Sequence, residues 1–240
     1  MLNPFSVIIP TLNEAARISR TIRHVRELYP AVEIIVADGG SDDGTVEQSL
    51  QESAKIVVSC CGRGNQCNAG ARQASGEILL FLHADTSLPN QAFDLLTRYF
   101  NNPQIRIGTF RLKFDRDKWI LGIYAYFSRF DSIFTRFGDQ CIVVRRAFFE
   151  EIGGFPEWPL FEDVHFLRQA RKRTRIISFP AEVNTSARRF IEIGIIRTQL
   201  INGWLVLKYL CGVSPDKLAE QYRGKTAHQT GNPSQDIRPL

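Results

Sequence analysis

No stretch of this 240-residue chain reaches the roughly 18 uninterrupted apolar residues that a membrane-spanning helix needs. The most apolar long segment, Phe190 to Val213, is broken by Glu192, Arg197 and Lys208, so it can lie on a bilayer but not cross one. Paired cysteines are absent too. The five present (Cys60, Cys61, Cys67, Cys141 and Cys211) form no C-x-x-C pair, and the close trio at 60, 61 and 67 matches no common zinc spacing. No G-x-G-x-x-G follows the first apolar run, which excludes the usual dinucleotide fingerprint. The run DGGSDDG begins like a calcium loop, but its sixth position is Asp43 rather than glycine and its twelfth is Ser49 rather than glutamate.

What is present is ordinary in bulk and specific in detail. An apolar fraction of 44% and a charged fraction of 23% fit a soluble globular protein. The formal net charge of +5 suits an anionic ligand, a membrane surface or nucleic acid equally. Basic clusters at 171–175 and at Arg188-Arg189 are not interleaved with aromatics on a recognisable module, so no nucleic-acid partner is expected. The odd cysteine count, and a chain that enters a strand almost at once, point to a reducing cytoplasm.

The order of elements sets the architecture. Residues 5–10 read as a buried strand, and Asn13 is placed to cap a helix with Ile18, Ile22, Val25 and Leu28 on one face. Strands follow at 33–38, 55–59 and 77–85, separated by helices at about 45–54 and 65–75 and followed by one running from Pro89 to about Tyr99. This β-α alternation implies an α/β fold with a parallel sheet and helices on both faces. The rhythm then changes. Residues 107–114 alternate as a half-exposed strand, 118–137 read as an aromatic helix, and 140–146 as a strand followed by a short helix and the Gly153-Gly154 break. A helix starts near Glu162, a strand spans 175–179, and an amphipathic or largely buried helix spans 190–210.

Acidic residues punctuate the strand ends. Asp38 ends a strand, with glycines after it that let backbone approach a ligand; its carboxylate either accepts hydrogen bonds from a base or ribose, or closes a plain turn. Asp85 ends the most apolar strand, where a carboxylate must be solvated, paired or bound to a cation. Magnesium and manganese favour such oxygens, and a cap for the loop before Pro89 is the alternative. His83 lies two residues earlier and should point the same way, towards ribose, metal or a structural partner. Arg63, between two glycines at a helix start, suits a phosphate or base. Glu162 and Asp163 open a helix, where carboxylates also complement the helix dipole.

PTLNE (10–14), DGGSDDGT (38–45), RGNQCNAG (63–70), HAD (83–85), GGF (153–155) and ED (162–163) occur in this order. As an ordered set spanning about residues 5–180, they resemble the nucleotide-sugar-dependent glycosyltransferases of family 2, and most of all small bacterial members with HAD in place of D-x-D. The resemblance implies a GT-A fold: a mostly parallel, Rossmann-like central sheet flanked by helices, with an acceptor-side helical part at the carboxyl end. Residues 1–223 would form one domain, with 1–100 as the nucleotide-sugar half and 101–223 as the acceptor half; the polar tail 224–240 is expected to be disordered.

The roles it implies are specific. Pro10, Thr11 and Glu14 would line the nucleotide pocket, Asp38 would hold the base (usually uracil), and Arg63 would support the nucleotide. Asp85 would bind Mn2+ or Mg2+ on the diphosphate, and Asp163 would be the general base of an inverting transfer to a hydroxyl or carboxyl. His83 departs from the family's usual aspartate, which leaves the metal one carboxylate fewer. Arg188-Arg189-Phe190 partly resembles the Q-x-x-R-W element, with its Gln and Trp missing. The apolar segments 118–137 and 190–210 suit a lipid or carotenoid-like acceptor at the inner face of the membrane, a homodimer interface, or core. The rival classes are a catalytically weak nucleotide-sugar binder or scaffold and a nucleotidyltransferase; the basic phosphate loop of the latter is missing from PTLNEAAR.

Overall fold

The computed structural model describes residues 4–115, 138–187 and 195–221, together with Gly122 and Tyr126. Apart from those two positions, the expected aromatic helix at 118–137 lies outside the described residues. So do the Arg188-Arg189-Phe190 element, the first residues of the 190–210 helix and the polar tail.

One eight-stranded sheet organises the chain. Its strands are β1 (Phe5–Thr11), β2 (Glu33–Asp38), β3 (Lys55–Val58), β4 (Ile78–Phe81), β5 (Thr86–Ser87), β6 (Ile107–Phe114), β7 (Ile142–Arg145) and β8 (Ile177–Thr185). Their spatial order is β3-β2-β1-β4-β7-β6-β8-β5. The four strands β3, β2, β1 and β4 run parallel, whereas β7 is antiparallel to both β4 and β6. β6 and β8 are again parallel, and β5 closes the edge antiparallel to β8.

The helices are α1 (Ala15–Leu28), α2 (Thr45–Gln51), α3 (Arg63–Gln73), α4 (Ala92–Phe100), α5 (Arg146–Ile152), α6 (Glu162–Arg171) and α7 (Ile195–Leu210). Alternation along the strands sends Val7, Ile9, Ile34 and Val36 into one core, with Ile18, Ile22 and Val25 of α1 and Phe93, Leu96 and Phe100 of α4. The intervening residues Ile8, Ile35 and Leu79 join a second core with α3, α5 and α6. Both faces are therefore covered, as near-continuous apolar strands require. A third cluster joins Phe161 and Val164 at the start of α6 to Leu205, Val206 and Tyr209 of α7.

Several sequence expectations are corrected. β4 stops at Phe81, and residues 82–85 form a loop in which the Thr86 amide donates to the His83 carbonyl (3.1 Å), so strand alternation does not relate His83 to Asp85. β6 is buried rather than half-exposed, because β7 and β8 flank it and aromatic side chains cover it. β8 continues to Thr185, pairing with β6 and β5, instead of ending at 179. Asn13 caps nothing: it is left-handed (φ 56°), and its side-chain carbonyl accepts from the Asp42 amide (3.0 Å), tying the loop after β1 to the loop after β2.

α3 packs directly on β1 because Gly70 has no side chain. A Cβ there would meet the Cγ2 of buried Ile8 at 2.5 Å, and a β-branched side chain has little rotameric freedom to yield. Gly70→Ala is expected to cost about 1–3 kcal/mol through overpacking, lowering the thermal midpoint by roughly 2–4 °C per kcal/mol. At Gly203 in α7 an added Cβ meets nothing within 4 Å. Gly203→Ala should instead raise the midpoint, by the roughly 0.5–1 kcal/mol that alanine gains over glycine in a helix. Paired thermal melts check both signs.

Candidate active site

The carboxyl ends of the parallel strands converge on one edge. Thr11 and Asp38 are partners in the β1–β2 register, and Phe81 lies opposite Ile8 of β1. β7 runs the other way, with Ile142 opposite Phe81, so the residues just before β7 emerge where those just after β4 do. That reversal brings the short 3-10 turn Gly138–Gln140, and with it Asp139, to the edge where ligands bind in open α/β sheets. Asn13, Cys141 and Phe161 all take positive φ without being glycine and all flank this edge.

Asp38 is buried and saturated by its own loop. Its oxygens accept from the Thr11 hydroxyl (3.1 Å), the Ser41 hydroxyl (2.5 Å) and the amides of Gly40 (2.9 Å) and Ser41 (2.8 Å). In this arrangement it shapes the turn that follows β2. Asp43 takes up the neighbouring amides of Ala15 and Thr45. Burial works to raise its carboxyl, but these bonds and the Thr45 hydroxyl outweigh it and leave the pKa below its ordinary value. Glu14 is occupied by Arg17, 2.9 Å away on the same helix.

Arg63 is the hub. It is the first residue of α3, and its guanidinium pairs through Nε with Glu162 and through Nη2 with Asp163 (3.1 Å), while Nη1 lies 3.1 Å from the His83 Nε2. Asp163 is further fixed by the Val164 amide, which donates to its Oδ1 (2.7 Å). Burial and the two carboxylates act on Arg63 in opposite directions, and the carboxylates prevail, raising its pKa. Burial, with the adjacent Asp163 charge, pushes Glu162 up against the pull of Arg63. Arg63, His83, Glu162 and Asp163 line a pocket with Pro10, Phe81, Ile142 and Phe155. Thr11, Glu14, Asp38 and Asp85 lie outside that lining.

Asp139, which no sequence motif singled out, is 3% exposed, and neither of its carboxylate oxygens has a hydrogen-bond partner. Burial first, then the Asp163 and Asp85 charges, lift its pKa to about 7, although Arg63 pulls the other way. Asp85 is half-buried, and the Thr86 hydroxyl reaches it only at 3.5 Å. Hard carboxylate oxygens of this kind suit Mg2+ or Mn2+. Among the described residues no three His, Cys, Asp or Glu side chains converge to hold an ion. The fit is therefore to a cation that takes most of its shell from phosphate and water.

The Asp139 geometry has a pH signature. Its carboxyl keeps a proton to about pH 7 in the fold, against an ordinary value of 3.8. Between about pH 4 and pH 7 the folded chain therefore holds a proton that the unfolded chain has lost, and this group makes stability fall as pH rises across that window. Asp139→Asn should flatten the decline and leave the ligand-free protein more stable than wild type at pH 8. Melts at half-unit pH steps check this; superimposable profiles would contradict the buried, unpaired carboxyl.

Comparison with known proteins agrees with the geometry. Residues 6–153 match the profile of Glycosyl transferase family 2. The undecaprenyl-phosphate 4-deoxy-4-formamido-L-arabinose transferase of Pectobacterium atrosepticum is 25% identical over 209 residues, covering 81% of this chain and 59% of that protein. The chain thus spans about three-fifths of the length of this curated relative. Staphylococcus aureus TarS (1–349), solved with UDP, superposes with a TM-score of 0.62 at 21% identity, covering 83% of this chain and 65% of that one. The mannosyltransferase PcManGT of Pyrobaculum calidifontis, solved with GDP-Man and Mn2+, gives 0.65 at 20% identity, covering 90% and 66%. These likenesses establish the GT-A fold. With more than half of its length inside the family profile, the chain belongs to glycosyl transferase family 2.

Proposed function

We propose that this protein transfers a sugar from a nucleoside-diphosphate donor, with uridine diphosphate as the carrier, to an acceptor hydroxyl with inversion, and that Asp163 is the general base. The observation that carries the reading is the placement of Asp163: a carboxylate in the pocket at the sheet's ligand edge, aimed by Arg63 on one side and the Val164 amide on the other. Pro10, Thr11 and Glu14 flank the nucleotide, and the turn built on Asp38 receives the base. Arg63 and His83 face the ribose and phosphates, and Asp85 would hold a divalent cation, Mn2+ or Mg2+, which when bound would supply positive charge to offset that gathering on the leaving diphosphate. Asp163 accepts the acceptor's proton as the acceptor oxygen attacks from the face opposite the diphosphate. The solved neighbours were captured with UDP, or with GDP-Man and Mn2+, which supports this donor class.

The acceptor reading is a lipid-linked or carotenoid-like molecule met at the inner face of the membrane. α7 leaves Leu200, Trp204, Leu207 and Leu210 exposed at three- and four-residue spacing, the first by 69%, and the Lys208 ammonium sits 3.8 Å from the Trp204 ring centre. An apolar stripe edged by a cation suits an interfacial helix, and the Pectobacterium relative acts on undecaprenyl phosphate. No helix among the described residues is long and apolar enough to cross a membrane.

A thermal-shift screen of nucleotide sugars with and without Mn2+ tests the donor reading. One uridine-diphosphate sugar should stabilise the fold, more strongly with metal, by about 2.7 kcal/mol at a hundredfold excess over Kd. A flat response to every donor would remove the reading. With the responding donor and a hydroxyl acceptor, Asp163→Asn should bind donor as wild type does yet lose about 10²- to 10⁴-fold in turnover. Undiminished UDP release would exclude Asp163 as the base.

A further inference from the structure

The unpartnered Asp139 carboxylate lies just before β7, at the ligand edge of the sheet. It ends no motif used above, lies 3% exposed and leaves both oxygens without a hydrogen-bond donor. A native fold rarely buries a carboxylate in this way unless a ligand completes it. The charges that bear on it are those of Asp163, Arg63 and Asp85. Its place is maintained by the chain: the turn Gly138–Gln140 and left-handed Cys141 precede β7, whose antiparallel register beside β4 fixes the exit point.

Inverting displacement aligns the acceptor oxygen, the anomeric carbon and the leaving phosphate. If Asp163 attends the acceptor and Asp85 the diphosphate, a carboxylate that enters the same edge just before β7, beside the end of β4, is placed to meet the ring between them. The geometry points to Asp139 as the sugar-recognition residue, its two oxygens accepting hydroxyl hydrogens of the transferred hexose. Once ionised, above about pH 7, the carboxylate offers two free acceptors that match a pair of neighbouring hydroxyls, each of which brings a donor. The inference rests on the donor reading above and adds which part of the donor the residue reads.

The test separates sugar from nucleotide and from metal. Calorimetry compares wild type and Asp139→Asn for UDP with Mn2+, and for UDP-glucose, UDP-galactose, UDP-N-acetylglucosamine and UDP-glucuronic acid with Mn2+. Wild type should bind one of these sugars more tightly than UDP. The variant should keep the UDP and Mn2+ affinities while losing about tenfold for that sugar, the scale of a hydrogen bond to a charged acceptor. Mono-deoxy analogues of the same donor, bound by unaltered wild type, should show a matching loss at one or two hydroxyls, and the two losses should not add when combined. Equal weakening of UDP and UDP-sugar, or weakened Mn2+ binding, would assign Asp139 to nucleotide or cation and overturn the inference. An unchanged sugar preference in the variant would overturn it while leaving the donor reading intact. No binding of any donor by wild type would remove both.

Discussion

One half-buried guanidinium and two buried carboxylates at the joint between α3 and α6 set the terms for the rest of the site. Arg63, Glu162 and Asp163 come from the first turns of two helices 99 residues apart in sequence, so their pairing exists only if those helix ends meet. Removing one partner would leave a buried charge uncompensated, which is why such a triad constrains geometry more than it adds net stability. The backbone is cut to fit. A Cβ at Gly64 would strike the Pro156 carbonyl, and the Asn68 amide grips Phe155 from both sides, accepting from its N–H at 3.0 Å and donating to its carbonyl at 2.8 Å. The loop after the Gly153-Gly154 break is thereby pressed onto α3, and α6 begins where Arg63 can reach it.

This joint explains how acidic groups can be crowded at a sheet edge. Arg63 neutralises the pair nearest to it, and the Asp38 and Asp43 carboxylates are absorbed by their own loops. Asp139 is what the fold leaves unsolved. Local consistency is broken there at a cost that the ligand-free chain bears in full, and functional sites are where such breaches are expected.

The sequence made the first hundred residues legible because their signals are local. Short apolar runs ended by Asp or Pro, alternating with helical periodicity, place β1 to β3 and α1 to α4 within a few residues. Arg63, His83 and Asp163 stood out as ordered motifs, and the fold gathers those three with Pro10 into one pocket. Two things were hidden. A run such as ILLFLHAD does not show where hydrogen bonding stops, so the departure of the chain at Leu82, which frees His83 and Asp85 from strand alternation, was not readable. Nor does an apolar tetrapeptide declare its direction. Only the antiparallel pairing of β7 with β4 reveals that Asp139 lies at the ligand edge and not the opposite one.

α7 is joined to the Glu162-Asp163 pair through packing. Phe161 and Val164, which bracket the Glu162-Asp163 pair, lie in the same apolar cluster as Leu205, Val206 and Tyr209 of α7. His165, two residues beyond Asp163, meets the Tyr209 hydroxyl at 3.2 Å and packs edge-on against Trp158. α7 therefore turns one face to the helix that carries Asp163 and another, with Leu200, Trp204 and Leu207, to the outside. Close-packed interiors transmit displacement rather than absorb it. A surface that seats the outer face of α7 bears, through that cluster, on the start of α6 and so on the position of Asp163 relative to Arg63. On the proposed reading, where the acceptor arrives and how Asp163 is aimed are consequences of the same packing.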